Sequence, residues 1–174
     1  MAIRRPFNLQ KWIDEHRHLL KPPVGNKLVY EDAEFIVMVV GGPNARKDYH
    51  WEEGEEFFYQ LEGDIIVKIQ ENGKAVEVPI KEGEIFLLPA RVPHSPIRSE
   101  SSIGLVIERK RINGEKDGLL WFCDNCNTKL FDDYFVLNSI EKDFIPVFRQ
   151  FYGSEELRTC KECGTVMEVD ERFV

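Results

Sequence analysis

Four cysteines stand as two pairs, Cys123-x-x-Cys126 and Cys160-x-x-Cys163, with none earlier in the chain. Four thiolates in that arrangement can surround zinc or iron tetrahedrally, and a complete sulfur set leaves no coordination position open. The site they imply is structural or electron-transferring, and sulfur geometry does not choose between the two metals. A disulfide framework would scatter the cysteines instead. Histidine is as sparse, at four residues. His16 and His18 are two apart on a helical stretch, so they face different directions and read as solvated or packing residues. His50 and His94 flank Glu56 and lie beside β-type runs. Two neutral imidazoles and one carboxylate on one face of an octahedral ion leave three positions free, which is what O2 and a chelating substrate need.

Those three residues need a fold to bring them together. Along a straight strand, His50 and Glu56 would be ~20 Å apart. They meet only if the chain folds back, and polar, Gly54-containing Trp51 to Glu55 suits that reversal. The rest of the acidic run from Glu52 reads as a solvated loop, with Glu55 the nearest rival to Glu56.

The surrounding elements are mostly short strands. Asn8 is a plausible cap for a helix whose apolar positions Leu9, Trp12, Ile13, Leu19 and Leu20 share a face and which Pro22-Pro23 would end. Then come β-type runs at Phe35 to Val40, Phe57 to Leu61, Ile65 to Ile69, Val76 to Ile80, Ile85 to Leu88 and Ile103 to Ile107. Asn72-Gly73 between two of them supplies the positive φ angles of a type I′ hairpin. Such a series predicts a mainly β protein, an antiparallel sandwich or barrel. From about Gly118 the pattern changes to the cysteine pairs and an apolar stretch, Ile140 to Tyr152, readable as helix on either side of Pro146. The chain thus divides into residues 1–117, with the histidines, and an extension at 118–174 packed on them.

With 174 residues, 43% of them hydrophobic, there is enough chain for one real core. A net charge of −8 without clustered Lys and Arg opposes nucleic-acid binding. No apolar run approaches the ~18 residues of a membrane span, and the N-terminus is not a signal sequence. A cytoplasmic location is expected.

The spacing of His50, Glu56 and Gly63, then of Gly83, Pro89 and His94, resembles the two motifs of the cupin superfamily, a jelly-roll β-barrel. Glu52 stands where a second histidine is usual, and Arg91 and Arg98 replace a glycine and an asparagine. Losing one of four ligands leaves His50, Glu56 and His94, and Arg98, four residues beyond His94, points toward the same cavity. The stretches LKPPVGN at 20–26, VVGGPN at 39–44, Arg46 to His50, Glu55 to Gln60, Leu87 to Pro89 and His94 to Pro96 are similar, more narrowly, to the 3-hydroxyanthranilate 3,4-dioxygenases. That resemblance runs through nearly the whole chain and includes the terminal cysteine pairs of bacterial and fungal members.

The resemblance implies Fe(II) on His50, Glu56 and His94, with O2 accommodated at Arg46 and substrate held by Arg98 and Glu108. It implies extradiol-type opening of 3-hydroxyanthranilate, a small aromatic acid, to 2-amino-3-carboxymuconate semialdehyde. It further implies a homodimer and a rubredoxin-like iron site on the four cysteines, not needed for turnover, with zinc the alternative. A guanidinium fork suits the substrate carboxylate, favouring Arg98 as clamp. Glu108 alternates against Leu105 and Ile107, so it can enter the barrel. Arg46, Arg98 and Glu108 could instead be solvated surface charges. Two other functions stay open: a cupin isomerase or decarboxylase working without O2, and a non-enzymatic module whose pocket senses a small acid while the cysteine knuckle binds a protein. The knuckle is expected to staple a segment too small for its own core.

Overall fold

The computed structural model describes residues 3–22, 25–138 and 140–174, with backbone alone at Ile140 and Glu141. Asn8 caps the first helix, α1 (Leu9–His16), its side-chain oxygen accepting from Lys11 N at 2.8 Å. Helix α1 stops earlier than its pattern suggests, passing into a 3₁₀ turn at Arg17–Leu19 that leaves Leu19 exposed. Pro23, expected to end it, lies outside the described residues. Ile13 and Leu20 are buried against Val39 and Ile103, which seats this segment on the sheet.

Among the described residues eleven strands follow: β1 (Asn26–Leu28), β2 (Phe35–Gly41), β3 (Tyr49–Glu52), β4 (Glu56–Glu62), β5 (Ile65–Glu71), β6 (Lys74–Ile80), β7 (Ile85–Leu88), β8 (His94–Arg98), β9 (Ile103–Arg109), β10 (Asp117–Phe122) and β11 (Lys129–Phe135). They form two antiparallel sheets, β1-β2-β9-β4-β7 and β11-β10-β3-β8-β5-β6, the jelly-roll cupin arrangement. The β5–β6 hairpin turns at Asn72 (φ 51°) and Gly73 (φ 76°), as expected for that dipeptide. Phe58, Ile65, Val67, Ile80, Leu88 and Val106 fill the space between the sheets.

The C-terminal portion is less dependent on its cysteines than expected. β10 pairs with β3, so it continues the six-stranded sheet. Helix α2 (Ile140–Tyr152) runs unbroken through Pro146. An interior proline costs ~3 kcal/mol, and here the helix packs Phe144, Val147, Phe148 and Phe151 against Leu119 and Trp121. With Tyr152 and Met167 these make a core of their own, correcting the expectation that the segment lacks one. A short helix, α3 (Glu155–Arg158), capped by Ser154, leads to the second cysteine pair. No helix among the described residues is long and apolar enough to cross a membrane.

Candidate active site

His50 and His94 are direct cross-strand partners on β3 and β8 of the six-stranded sheet. Glu56 and Glu108 are direct partners on β4 and β9 of the other. The chain between β3 and β4 changes sheets at Glu53–Glu55, which turns a six-residue separation into a contact across the sandwich. One ligand atom from each of His50, Glu56 and His94 lies within 4.8 Å of the others. The imidazoles meet edge to face, with centroids 5.3 Å apart.

Their donor set fits a cation. Glu56 Oε2 is 2.7 Å from His94 Nε2, yet it is buried without a hydrogen-bond partner among the described residues. Three donors thus converge where an ion between them would satisfy all three. Burial pushes the Glu56 carboxyl up, but His94, and then His50 and Arg111, more than offset it and hold it below its ordinary value. Burial likewise pushes the His94 imidazole down, and Glu56 outweighs this to raise it.

Arg98, on β8 with His94, is 4% exposed. Its Nη1 donates to Gln60 Oε1 at 3.3 Å, and no carboxylate among the described residues lies within ion-pair distance. Burial lowers its pKa to about 10, with Glu56 acting against that. The barrel wall makes room for the fork: a Cβ on Gly104 would stand 2.8 Å from Gln60 Oε1 and 2.9 Å from Arg98 Nη1. Asn44 holds the strand end from outside, exchanging backbone hydrogen bonds with Arg98 and donating through Nδ2 to Pro96 O at 2.8 Å. A buried cation with no counter-ion is costly. An anionic ligand would remove that cost.

Glu108 is buried and accepts from Arg111 Nη1 at 2.7 Å. Beside it lies Glu52, which corrects the solvated-loop reading: it is 3% exposed, on β3 and not in the turn. Residues 50 and 52 share one strand face, so the replacement for the usual histidine still points inward. Burial first, then the negative charge of Glu108, raises the Glu52 carboxyl to about 10, with Arg111 acting against them. Glu55 is exposed, as is His18, and His16 is stacked on Trp12 with Nδ1 2.7 Å from Trp12 O.

Arg46 approaches from a different side. Its Nε lies 3.2 Å from Asp48 Oδ1, and its guanidinium sits over the Phe148 ring at 5.3 Å. Phe148 belongs to α2, whose Phe144 packs on His50 with centroids 5.8 Å apart. Helix α2 therefore links Arg46 to the histidine end of the site. Sequence reasoning misses Glu52, Gln60, Arg111 and Asp117; only Glu52 carries a signal, its place in the first motif.

The four cysteines converge separately, all free, with one sulfur of each within 4.8 Å of the rest. The two knuckles repeat one geometry. Cys123 N donates to Thr128 O and Cys160 N to Thr165 O, both at 2.8 Å. Asn127 (φ 59°) and Gly164 (φ 75°) occupy matching left-handed positions. Cys123 and Cys160 are buried, while Cys126 and Cys163 are exposed. The threonine hydroxyl and amide at position 165, then Asn125, bring the Cys163 thiol down to about 5, ready to bind a metal as thiolate. The Asn127 amide also pairs with Gln70 on β5, at 2.9 and 3.0 Å, tying the knuckle to the barrel.

A cupin barrel with a buried two-histidine, one-carboxylate cluster defines the class: a cupin with a candidate metal centre. A family profile for 3-hydroxyanthranilic acid dioxygenase matches residues 1–152. The chain belongs to that family. It is 58% identical, over 97% of its length and 95% of the other, to "3-hydroxyanthranilate 3,4-dioxygenase" of Xanthomonas euvesicatoria pv. vesicatoria (strain 85-10). Against the protein of the same name from Jannaschia sp. (strain CCS1) it is 56% identical, over 95% of this chain and 93% of the other. A solved cupin-2 domain containing protein from Shewanella frigidimarina aligns with TM-score 0.47 and 16% identity, over 59% of this chain and 100% of that one.

Proposed function

We propose that this chain is a cytoplasmic Fe(II)-dependent dioxygenase that opens the ring of 3-hydroxyanthranilate with O2, giving 2-amino-3-carboxymuconate semialdehyde. The observation that carries the substrate assignment is Arg98, on the same strand as His94, a buried guanidinium without a carboxylate partner among the described residues. His50, Glu56 and His94 are the ligands, and iron on them would supply a Lewis acid that acidifies a chelated phenol and a path for electrons from ring to O2. Arg98 pairs with the substrate carboxylate as a planar fork and fixes the ring's orientation. Glu108 accepts a hydrogen bond from the hydroxyl or amine beside the metal face. Glu52, whose carboxyl is raised by burial and by the charge of Glu108, stands beside Glu108 on the facing sheet. Arg46, held by Asp48 and Phe148, flanks the O2 side. The cysteine site holds a second iron, rubredoxin-like, remote from turnover.

The partner is a second copy of the chain. Phe57, Tyr59 and Ile107 alternate with buried residues and so line the outer face of the five-stranded sheet, beside exposed Ile85 and Leu87. Sedimentation should give a dimer that Leu87→Glu dissociates.

Apo-protein loaded with Fe(II) under nitrogen, then given 3-hydroxyanthranilate and O2, should consume both together and release ring-opened product. No uptake of O2 overturns the assignment. Consumption of substrate under strict anaerobiosis would point to isomerase or decarboxylase chemistry instead. Metal analysis of protein purified without added metal separates iron from zinc at the cysteines.

A further inference from the structure

Arg111 lies in the loop between β9 and β10, with its side chain only 12% exposed. Every charged group it touches belongs to the site or to a partner of the site. Nη1 donates to Glu108 Oε1 at 2.7 Å. Nη2 lies 3.0 Å from Glu52 Oε2. Nε and Nη2 grip Asp117 in a fork, at 3.0 and 2.5 Å. Asp117, fully buried at the start of β10, places Oδ1 2.7 Å from His50 Nε2. Glu108 and Asp117 sit on different sheets, so one guanidinium spans both walls of the sandwich.

We infer that Arg111 is a positioning residue that holds the two halves of the active site in one frame: the His50 imidazole through Asp117, and the carboxyl of Glu108 directly. Carboxylate partners of metal-binding imidazoles orient the ring and sustain its basicity. A planar cation with five donors can serve three carboxyl groups at fixed angles, which a lysine cannot. Without Arg111, Glu108 and Asp117 would be buried without that counter-charge, and each would be free to turn away from its present partner. Arg109 provides the contrast. Two residues earlier, it pairs with Glu115 inside the same loop, at 2.5 Å, and touches no group of the site. Arg109 braces the loop; Arg111 braces the chemistry.

Assigning Glu108 to substrate rests on the function proposed above, so the test separates the two ideas. Fe(II) affinity is measured by chelator competition under nitrogen, with the cysteine site followed separately by its thiolate-to-metal absorption. Substrate affinity of the Fe(II)-loaded protein is measured under the same gas. Arg111→Gln should weaken Fe(II) binding ~10–100-fold, the usual scale for an outer partner, and Asp117→Asn should do the same, with no further loss in the double variant. Glu108→Gln should leave Fe(II) affinity unchanged while weakening substrate binding, again without additivity with Arg111→Gln. Arg111→Lys, which keeps a cation and protects the fold, should fall between. Arg109→Gln should change neither affinity. The inference is overturned by wild-type values in Arg111→Gln, by additive losses, or by an equal effect of Arg109→Gln. Should the wild type bind Fe(II) but not 3-hydroxyanthranilate, the substrate assignment fails, while the Fe(II) affinities of the Arg111 and Asp117 variants still decide whether the arm to His50 exists.

Discussion

The cysteine cluster and the histidine cluster of this protein are built in opposite ways. The cysteine site takes four ligands from two short knuckles of one local geometry, and each knuckle makes its own turn and its own sulfur hydrogen bonds. The histidine site would draw three ligands from three strands in two sheets, and it contacts groups as distant as Asp117, 67 residues from His50. Four sulfurs would fill every position of a tetrahedral ion, whereas two imidazoles and a carboxylate would leave a face open. That open face is where a reaction can occur.

If the sites are independent, damage to one should spare the other. The largest effect is expected at the triad: Glu56→Ala or His94→Ala should lower kcat by more than ~100-fold, beyond what outer partners cause. Metal content should show one ion lost and the thiolate absorption intact. A loss of both ions would mean that the two sites fold as one.

Arg98→Met is expected to act with opposite signs on binding and stability. Losing a charged hydrogen-bonding partner worth ~1.5–3 kcal/mol should raise KM by roughly 10- to 100-fold. The same change removes a buried unpaired cation, so unfolding free energy without substrate should rise, on the order of 1 kcal/mol. Paired kinetics and urea titrations check both signs.

Cys163→Ser should empty the knuckle and lower the thermal midpoint, leaving kcat within ~2-fold if the site serves only folding. The protein should stay folded, because Trp121, Phe148, Phe151 and their neighbours form a core that does not pass through sulfur. Complete unfolding would restore the view of the knuckle as sole staple.

The smallest effect concerns that aromatic core under alkali. Burial pushes the Tyr152 hydroxyl up to about 12, and Trp121 Nε1 donates to it at 3.3 Å. A group raised in the folded state lends stability that is whole below its unfolded pKa of ~10 and is lost as pH climbs through the folded value. Stability should therefore decline between about pH 10 and 12, and Tyr152→Phe should flatten that decline. Unfolding curves at stepped pH measure it, and an unchanged slope would locate the alkaline sensitivity elsewhere.

Legibility in the sequence follows the range of the interactions. The Asn8 cap, the Asn72-Gly73 turn and six of the strands are readable because each is set by neighbours within a few residues. Strands β3 and β8, which carry the histidines, escape the sequence pattern. They are short, β8 contains Pro96, and their pairing is decided by other strands. Glu52 reads as loop because an acidic run beside a glycine resembles one. Its raised carboxyl comes from burial first and then from Glu108 of the opposite sheet.

The chain by itself determined the donor types, the local turns that shape the sulfur knuckles, and the alternation that turns Glu108 inward. Only the tertiary structure decided that Glu56 faces His94, that Arg98 has no counter-ion among the described residues, and that one arginine contacts Glu52, Glu108 and Asp117 together. The physical reason is that spacing fixes which way a side chain points on its own strand, whereas charge state and partnership depend on the desolvation and the neighbours supplied by strands far away in sequence.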